Sequence, residues 1–205
     1  MIGLVRNEWK KVFLPVLLTT VLLAIAMGVL SCTIYQNYVL HYDLEAWEVG
    51  TELFSLLYPL FVVVPLCWNL YYERKNNFLL YVMPRVKIKK YLTAKWIAYA
   101  LGTLCIIVIP YILSAVFALY VKPPVVPFVE NPFSHIFENA FIKTPLLYAV
   151  ALSLWRGTVS LFVMTFGFIL ALYCKNIFVI LTGPFMYSIL ENFVLAILCL
   201  ERLRL

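Results

Sequence analysis

The sequence has little charge, and this first absence sets the class of protein. Only 13% of its 205 residues are Asp, Glu, Lys or Arg, whereas charged residues make up about a quarter of an average soluble domain. Apolar residues make up 64%, and the mean hydropathy is +0.95. The composition excludes an ordinary soluble domain and predicts an integral membrane protein with a single domain over residues 1–205.

Several familiar site patterns are also missing. There is no Walker-type, dinucleotide-binding or zinc-finger spacing in the chain. The five cysteines are scattered without a C-x-x-C pair, which argues against a disulfide framework or a cysteine metal site. His41 and His135 fall in predicted loops and are interpreted as solvated side chains. The sequence therefore predicts no catalytic residues, no metal site and no cofactor bound by this chain.

Long apolar runs dominate what is present. About 20 apolar residues are enough for a helix to cross the hydrocarbon core, and five segments meet this length. We therefore expect an all-α, polytopic membrane helix bundle. The predicted spans lie at about 12–35, 53–72, 96–121, 157–174 and 177–199.

The first eleven residues differ from the runs that follow. Ile2, Val5 and Trp9 recur at helical spacing among basic side chains. This pattern predicts an amphipathic helix over 1–11 that lies in the membrane interface. The alternative is a frayed basic N terminus without a membrane role.

Charge is distributed unevenly between the loops. Loop 36–52 has four acids and no Lys or Arg, whereas segment 73–95 holds seven of the chain's 16 Lys and Arg. Basic loops are retained on the cytoplasmic side of a membrane. We therefore expect a multi-pass cell-membrane protein with its N terminus and 73–95 in the cytoplasm, and with 36–52 and 122–144 outside.

Segment 73–95 contains sequence features that membrane topology alone does not require. Contact with anionic lipid accounts for its positive charge, at about 1 kcal/mol for each Lys or Arg near the surface. It does not account for the apolar run FLLYVM and the proline that follows it. A short helix with an apolar face and basic flanks is typical of helix-in-groove docking. The predicted docking residues are Glu73, Phe78, Leu79, Tyr81, Val82, Met83, Pro84, Arg85 and Lys87.

Two ionisable residues fall within apolar runs, where such residues are functional candidates. Arg156 interrupts the run 145–174, and two interpretations compete. One is a single tilted span with a buried Arg; the preferred one is an outer segment at 145–155 followed by a span at 157–174, with Arg156 reaching the outer interface. Glu191 is either a functional acid or a water-facing residue of a re-entrant helix.

Several motifs occur in a recognisable order along the chain: Glu73–Arg74, Pro84–Arg85, Lys89, Lys95, TPLLY at 144–148, Lys175–Asn176 and Gly183–Pro184–Phe185. In this order the chain resembles the membrane (permease) subunit of bacterial ABC transporters of the type-2 exporter class, as in small exporters of antimicrobial peptides and bacteriocin-immunity systems. In that family the loop between the second and third spans carries the coupling helix, which corresponds to 73–95 here.

The resemblance implies a permease dimer, homo- or heteromeric, in a bacterial plasma membrane. A separate cytoplasmic ATPase would dock on 73–95 and bind ATP and Mg, and the exported substrate would be amphipathic: a peptide antibiotic, a toxin or a lipid. Family members have six spans, whereas five are seen here, and residues 188–205 are expected to begin a re-entrant portion. The alternative is a non-transporting immunity or sensor protein that binds its ligand through loops 36–52 and 122–144.

Overall fold

A computed structural model describes residues 1–38, 40–78, 86–123 and 138–197. This part of the chain is all-α and contains no strand. A single 3-10 turn, Ile34–Asn37, follows the first helix. The helices are α1 (Ile2–Thr33), α2 (Glu45–Lys75), α3 (Ile88–Tyr120), α4 (Glu138–Lys143), α5 (Pro145–Tyr173) and α6 (Ile177–Ile197).

Within the described residues, five helices (α1, α2, α3, α5 and α6) are long and apolar enough to cross a membrane. The chain is thus a multi-pass membrane helix bundle, as the composition predicted. Contacts between distant segments show that the helices alternate in direction. Lys122 at the end of α3 pairs with Asp43 before α2 at 2.7 Å, and Arg74 at the end of α2 donates to the Cys174 carbonyl after α5.

The two ends of the bundle differ in charge. The end containing Asp43 and Lys122 is called the acidic end, and its acids include Glu45, Glu48 and Glu52. The opposite end is called the basic end, and its acids in the described residues are Glu8 and Glu73. Its cations are Arg6, Lys10, Lys11, Arg74, Lys75, Lys87, Lys89, Lys90, Lys95 and Lys175.

Several predicted element boundaries differ from the structure. Residues 2–11 are not a separate interfacial helix, because α1 is continuous through them. With 32 residues it is about 48 Å long at 1.5 Å per residue, so it extends beyond a hydrocarbon core of about 30 Å. Similarly, the predicted loop 73–95 is shorter, since α2 continues to Lys75 and α3 begins at Ile88.

The predicted break at Arg156 is absent, because α5 runs without interruption from Pro145 to Tyr173. Gly157 costs a helix interior only about 1 kcal/mol relative to Ala. It also lets α3 approach closely: a Cβ at this position would lie 2.8 Å from the Val108 side chain. The structure therefore agrees with the other interpretation, in which a single long helix contains an internal Arg.

The predicted interruptions of the last apolar segment are likewise absent. Helix α6 continues through Gly183–Pro184 and Glu191–Asn192. Proline is tolerated inside membrane helices when neighbouring groups satisfy the freed backbone. The Asn192 side chain donates to the Ser188 carbonyl at 2.9 Å, so this polar group is satisfied within its own helix.

Helices α2 and α3 form the centre of the bundle. The largest helix–helix contact is between α1 and α3, and α2 touches α1, α3, α5 and α6. Buried side chains of α2 and α3, such as Leu66 and Ile106, form the core with residues from α1 and α5. Because α2 contacts each of the other membrane helices, a displacement of its basic end can be transmitted to all of them.

Candidate functional site

A cluster of four charged side chains lies at the basic end, where α1, α2 and α3 meet. Lys95 contacts Glu73 and lies 3.4 Å from Glu8 Oε2. Lys11 lies 2.6 Å from Glu8 Oε1 and 3.5 Å from Glu73 Oε1. Each cation thus contacts both acids, and the formal charges sum to zero. We refer to these four residues as the charge cluster.

The charge cluster is largely removed from solvent. The Lys95 side chain is fully buried, and Glu8 and Glu73 are 4% and 12% exposed. The Lys95 ammonium also lies 5.7 Å from the centre of the Tyr91 ring, whose hydroxyl donates to Glu73 Oε2 at 3.0 Å. Burying a charge without a partner is costly, so these contacts hold the three helices in one arrangement.

The positions of the cluster residues follow from helix geometry. Lys95 lies two turns after the start of α3, and Glu73 lies in the last turn of α2. Glu8 and Lys11 are three residues apart on α1, so they lie on one face of that helix. Because Glu73 directly precedes the α2–α3 connection and Lys95 follows it, the charge cluster ties both flanks of that connection to α1.

Three of the nine predicted docking residues lie in the described part of the chain, and they differ in exposure. Phe78 is 40% exposed, and the Lys11 ammonium lies 5.3 Å from its ring centre. Lys87 is exposed at the N-cap of α3. Glu73, in contrast, points into the bundle as part of the charge cluster. Leu79, Tyr81, Val82, Met83, Pro84 and Arg85 lie outside the described residues.

A second polar site surrounds Arg156 inside the bundle. The centre of its guanidinium lies 4.7 Å from the Tyr111 ring and 5.5 Å from the Trp47 ring. Trp47 is fully buried, and its indole N–H donates to the Tyr111 carbonyl and to Ser114 Oγ, each at 3.1 Å. Because Trp47 is in the first turn of α2, the Arg156 side chain lies in the half of the bundle nearest the acidic end.

The site around Arg156 encloses a cavity of about 10 Å³, which is room for about one water molecule. Arg156 Nε and Nη1 are buried and have no hydrogen-bond partner among the residues that the structure describes, so they can donate to a water or an anionic oxygen. Among the described residues, no ion pair joins Arg156 to Glu191, which is half-buried on α6. The lining residues are Ser55, Tyr58, Ile107, Tyr111, Arg156 and Val159.

We expect that replacing Arg156 with Met changes the free energy of unfolding by less than about 1 kcal/mol. A charge at the bilayer centre costs about 3 kcal/mol on insertion scales, whereas a desolvated cation–π contact contributes about 2 kcal/mol, so the two terms nearly cancel. Denaturation of the bicelle-solubilised protein with SDS measures the difference. If the free energy of unfolding falls by about 3 kcal/mol or more, which is as much as the insertion cost of the charge, Arg156 has a principally structural role.

Sequence analysis identified Arg156, Glu191 and Glu73 but missed most of the charge cluster. Glu8 and Lys11 were not singled out, and Lys95 was considered only as one of the basic residues of segment 73–95. One signal was available in the sequence. Glu8 and Glu73 are the lone acids of two basic stretches, 1–11 and 73–95, and lone acids beside several cations at one membrane surface are natural ion-pair partners.

Comparison with known proteins found no matching protein family, no matching curated protein and no matching solved structure. The charge cluster and the Arg156 site are therefore the basis for assigning a function.

Proposed function

We propose that this chain is the transmembrane subunit of an ATP-driven exporter, and that a separate cytoplasmic ATPase docks on the α2–α3 connection. The observation that carries this proposal is the charge cluster. It links both flanks of the connection to a third helix, as is needed if a partner's movement is to reach the bundle. A cytoplasmic ATPase requires the basic end of the bundle to face the cytoplasm, in keeping with the excess of Lys and Arg at that end.

The proposed mechanism starts at the connection between Lys75 and Ile88. Closure of the ATPase around ATP and Mg moves the docked segment, and the segment moves the ends of α2 and α3. Glu73 and Lys95 lie at those ends and contact Glu8 and Lys11, so α1 moves with them. Since α2 also contacts α5 and α6, the displacement spreads through the bundle and opens a path for an amphipathic substrate.

The same proposal implies that two permease subunits pair in the membrane. Two copies, or one copy with a related chain, would present two α2–α3 connections to two ATPases. Large apolar side chains are exposed along α1, including Leu14, Leu18 and Ile25. In a multi-pass protein such a surface contacts lipid or another membrane chain.

The double substitution Leu79→Asp/Arg85→Glu is expected to abolish association with the ATPase. It places a charge in the predicted apolar docking face and reverses a charge at its rim, and like charges across an interface cost several kcal/mol. The measurement is co-purification of a vanadate-sensitive ATPase with the tagged chain from its own membranes. Tyr120 and Lys143 supply exposed positions at the acidic end for the matched control Tyr120→Asp/Lys143→Glu, which should leave association unchanged.

Two results would argue against the exporter. An ATPase retained by Leu79→Asp/Arg85→Glu would show that the connection is not its docking site. The second result has two parts: no ATPase associates with any variant, and deletion of 125–140 abolishes ligand binding. It would instead favour an immunity or sensor protein that binds its ligand through its outer loops.

A further inference from the structure

A cleft runs between α1 and α2 in the half of the bundle nearest the basic end. Its volume is about 770 Å³, which lies within the range of about 300–1,000 Å³ that ligand pockets occupy. On α2 it extends from Val64 to Tyr72, eight residues or about 12 Å at 1.5 Å per residue. The lining residues are Lys11, Val12, Pro15, Val64, Pro65, Trp68, Asn69 and Tyr72.

The cleft has an apolar part and a polar part. Two prolines and two valines form the deeper region, toward the middle of the bundle. Lys11, which belongs to the charge cluster, lies at the other end. The Trp68 and Tyr72 rings pack together at 5.2 Å between centres, and both side chains are more than a third exposed. Paired aromatic rings of this kind are typical of the membrane–water interface.

Asn69 is the polar side chain of the cleft for which the described residues supply no partner. It is half-buried in an apolar stretch of α2, and its carboxamide has no hydrogen-bond partner in the described part of the chain. An amide left without a partner in an apolar environment is unfavourable, and polar residues within membrane segments commonly mark ligand paths. Because Asn69 is half-buried and lines the open cleft, its amide is available to a polar group of a molecule bound there.

The charge around the cleft determines what that group is. Lys11 is 40% exposed although its ammonium contacts Glu8 and Glu73, and an ammonium has three N–H donors. The Lys75 ammonium lies 5.9 Å from the ring centre of Tyr72, which lines the cleft. Because the charge cluster is neutral as a set, Lys75 gives the surroundings of the cleft mouth a net positive charge. An anionic head group is therefore attracted and an ammonium head group alone is not.

We infer that this cleft binds one anionic phospholipid of the bilayer leaflet at the basic end. One acyl chain lies along the two prolines and two valines, the aromatic pair contacts the glycerol region, and Asn69 donates to an ester carbonyl. The phosphate lies beside Lys11. The inference does not depend on the exporter proposal, since a lipid seated between α1 and α2 is expected whether or not an ATPase docks nearby.

The test is native mass spectrometry of the delipidated full chain titrated with phosphatidylglycerol or phosphatidylcholine. We expect one tightly retained phosphatidylglycerol, with about a fivefold preference over phosphatidylcholine, which is the effect of one Lys contact near a membrane surface. Val64→Trp fills the cleft and should remove this lipid. Val21→Trp adds the same ring to an exposed position of α1 outside the cleft and should retain it.

Asn69→Leu provides a second variant that does not alter core packing, because the side chain is only half-buried. It should weaken phosphatidylglycerol binding while circular dichroism shows unchanged helix content. The inference is overturned if Val64→Trp and Asn69→Leu retain the lipid as strongly as the unaltered chain. Equal retention of phosphatidylcholine and phosphatidylglycerol would also overturn it, because the cleft would then select no anionic head group.

Discussion

Replacing Lys95 with Met is expected to destabilise the bundle by about 3–5 kcal/mol, because removing one partner of a buried ion pair leaves the other uncompensated. Glu73 would lose its fully buried partner, and Glu8 would lose its second cation. The remaining contact between Lys11 and Glu73 is 3.5 Å long and partly exposed. The measurement is the free energy of unfolding in an SDS titration.

Two controls separate charge pairing from other effects of the substitution. Lys10→Met removes an exposed Lys one residue before Lys11 and should change stability by less than about 0.5 kcal/mol. Lys95→Met/Glu73→Gln removes one cation and one anion together, leaving the pair formed by Glu8 and Lys11. This double variant should recover most of the lost stability. If it is as unstable as Lys95→Met alone, the stabilisation comes from packing of the Lys95 stem instead.

Gly50→Ala is expected to have the second largest effect, a destabilisation of about 1–3 kcal/mol through overpacking. A Cβ at this position would lie 2.6 Å from Ser31 Cα and 2.7 Å from Ser31 N. These are backbone atoms of α1, so no side-chain rotation can relieve the contact. Helices α1 and α2 would have to separate at the acidic end, and small residues at such contacts are what allow membrane helices to pack closely.

The matched control for Gly50→Ala is Gly3→Ala. Gly3 also lies in a helix, but a Cβ there would meet nothing within 4 Å, so no loss of stability is expected. The same unfolding titration compares the two variants. Equal stabilities of Gly50→Ala and Gly3→Ala would show that the close approach of α1 to Ser31 is not required for the fold.

The fold class could be predicted from the sequence because the physical requirement is simple. A chain with long apolar runs must satisfy its backbone polar groups within the membrane, and helices do so. The boundaries were less predictable. Gly157 and Pro184 are helix-breaking signals in water, yet α5 and α6 continue through them. Packing against neighbouring helices offsets these local costs, and a single sequence does not reveal which neighbour will do so.

The candidate sites were predictable only in part, for a related reason. Arg156 and Glu191 stand out because they are charged residues in apolar runs. The partners of Arg156, Trp47 and Tyr111, are ordinary aromatic residues 109 and 45 positions away in the chain. Similarly, Lys95 resembles any topogenic Lys until α3 places it between two acids. Sequence shows which groups need a partner, whereas tertiary packing determines the partner.

The central claim is that the α2–α3 connection faces the cytoplasm and docks an ATPase. A photocrosslinking amino acid in place of Val82, introduced in the organism's own membranes, tests this most directly. We expect an adduct with a nucleotide-binding protein at this position, and none when the same amino acid replaces the exposed Tyr120 at the acidic end. The claim is contradicted if position 82 gives no such adduct, or if a membrane-impermeant reagent reaches it from outside the cell.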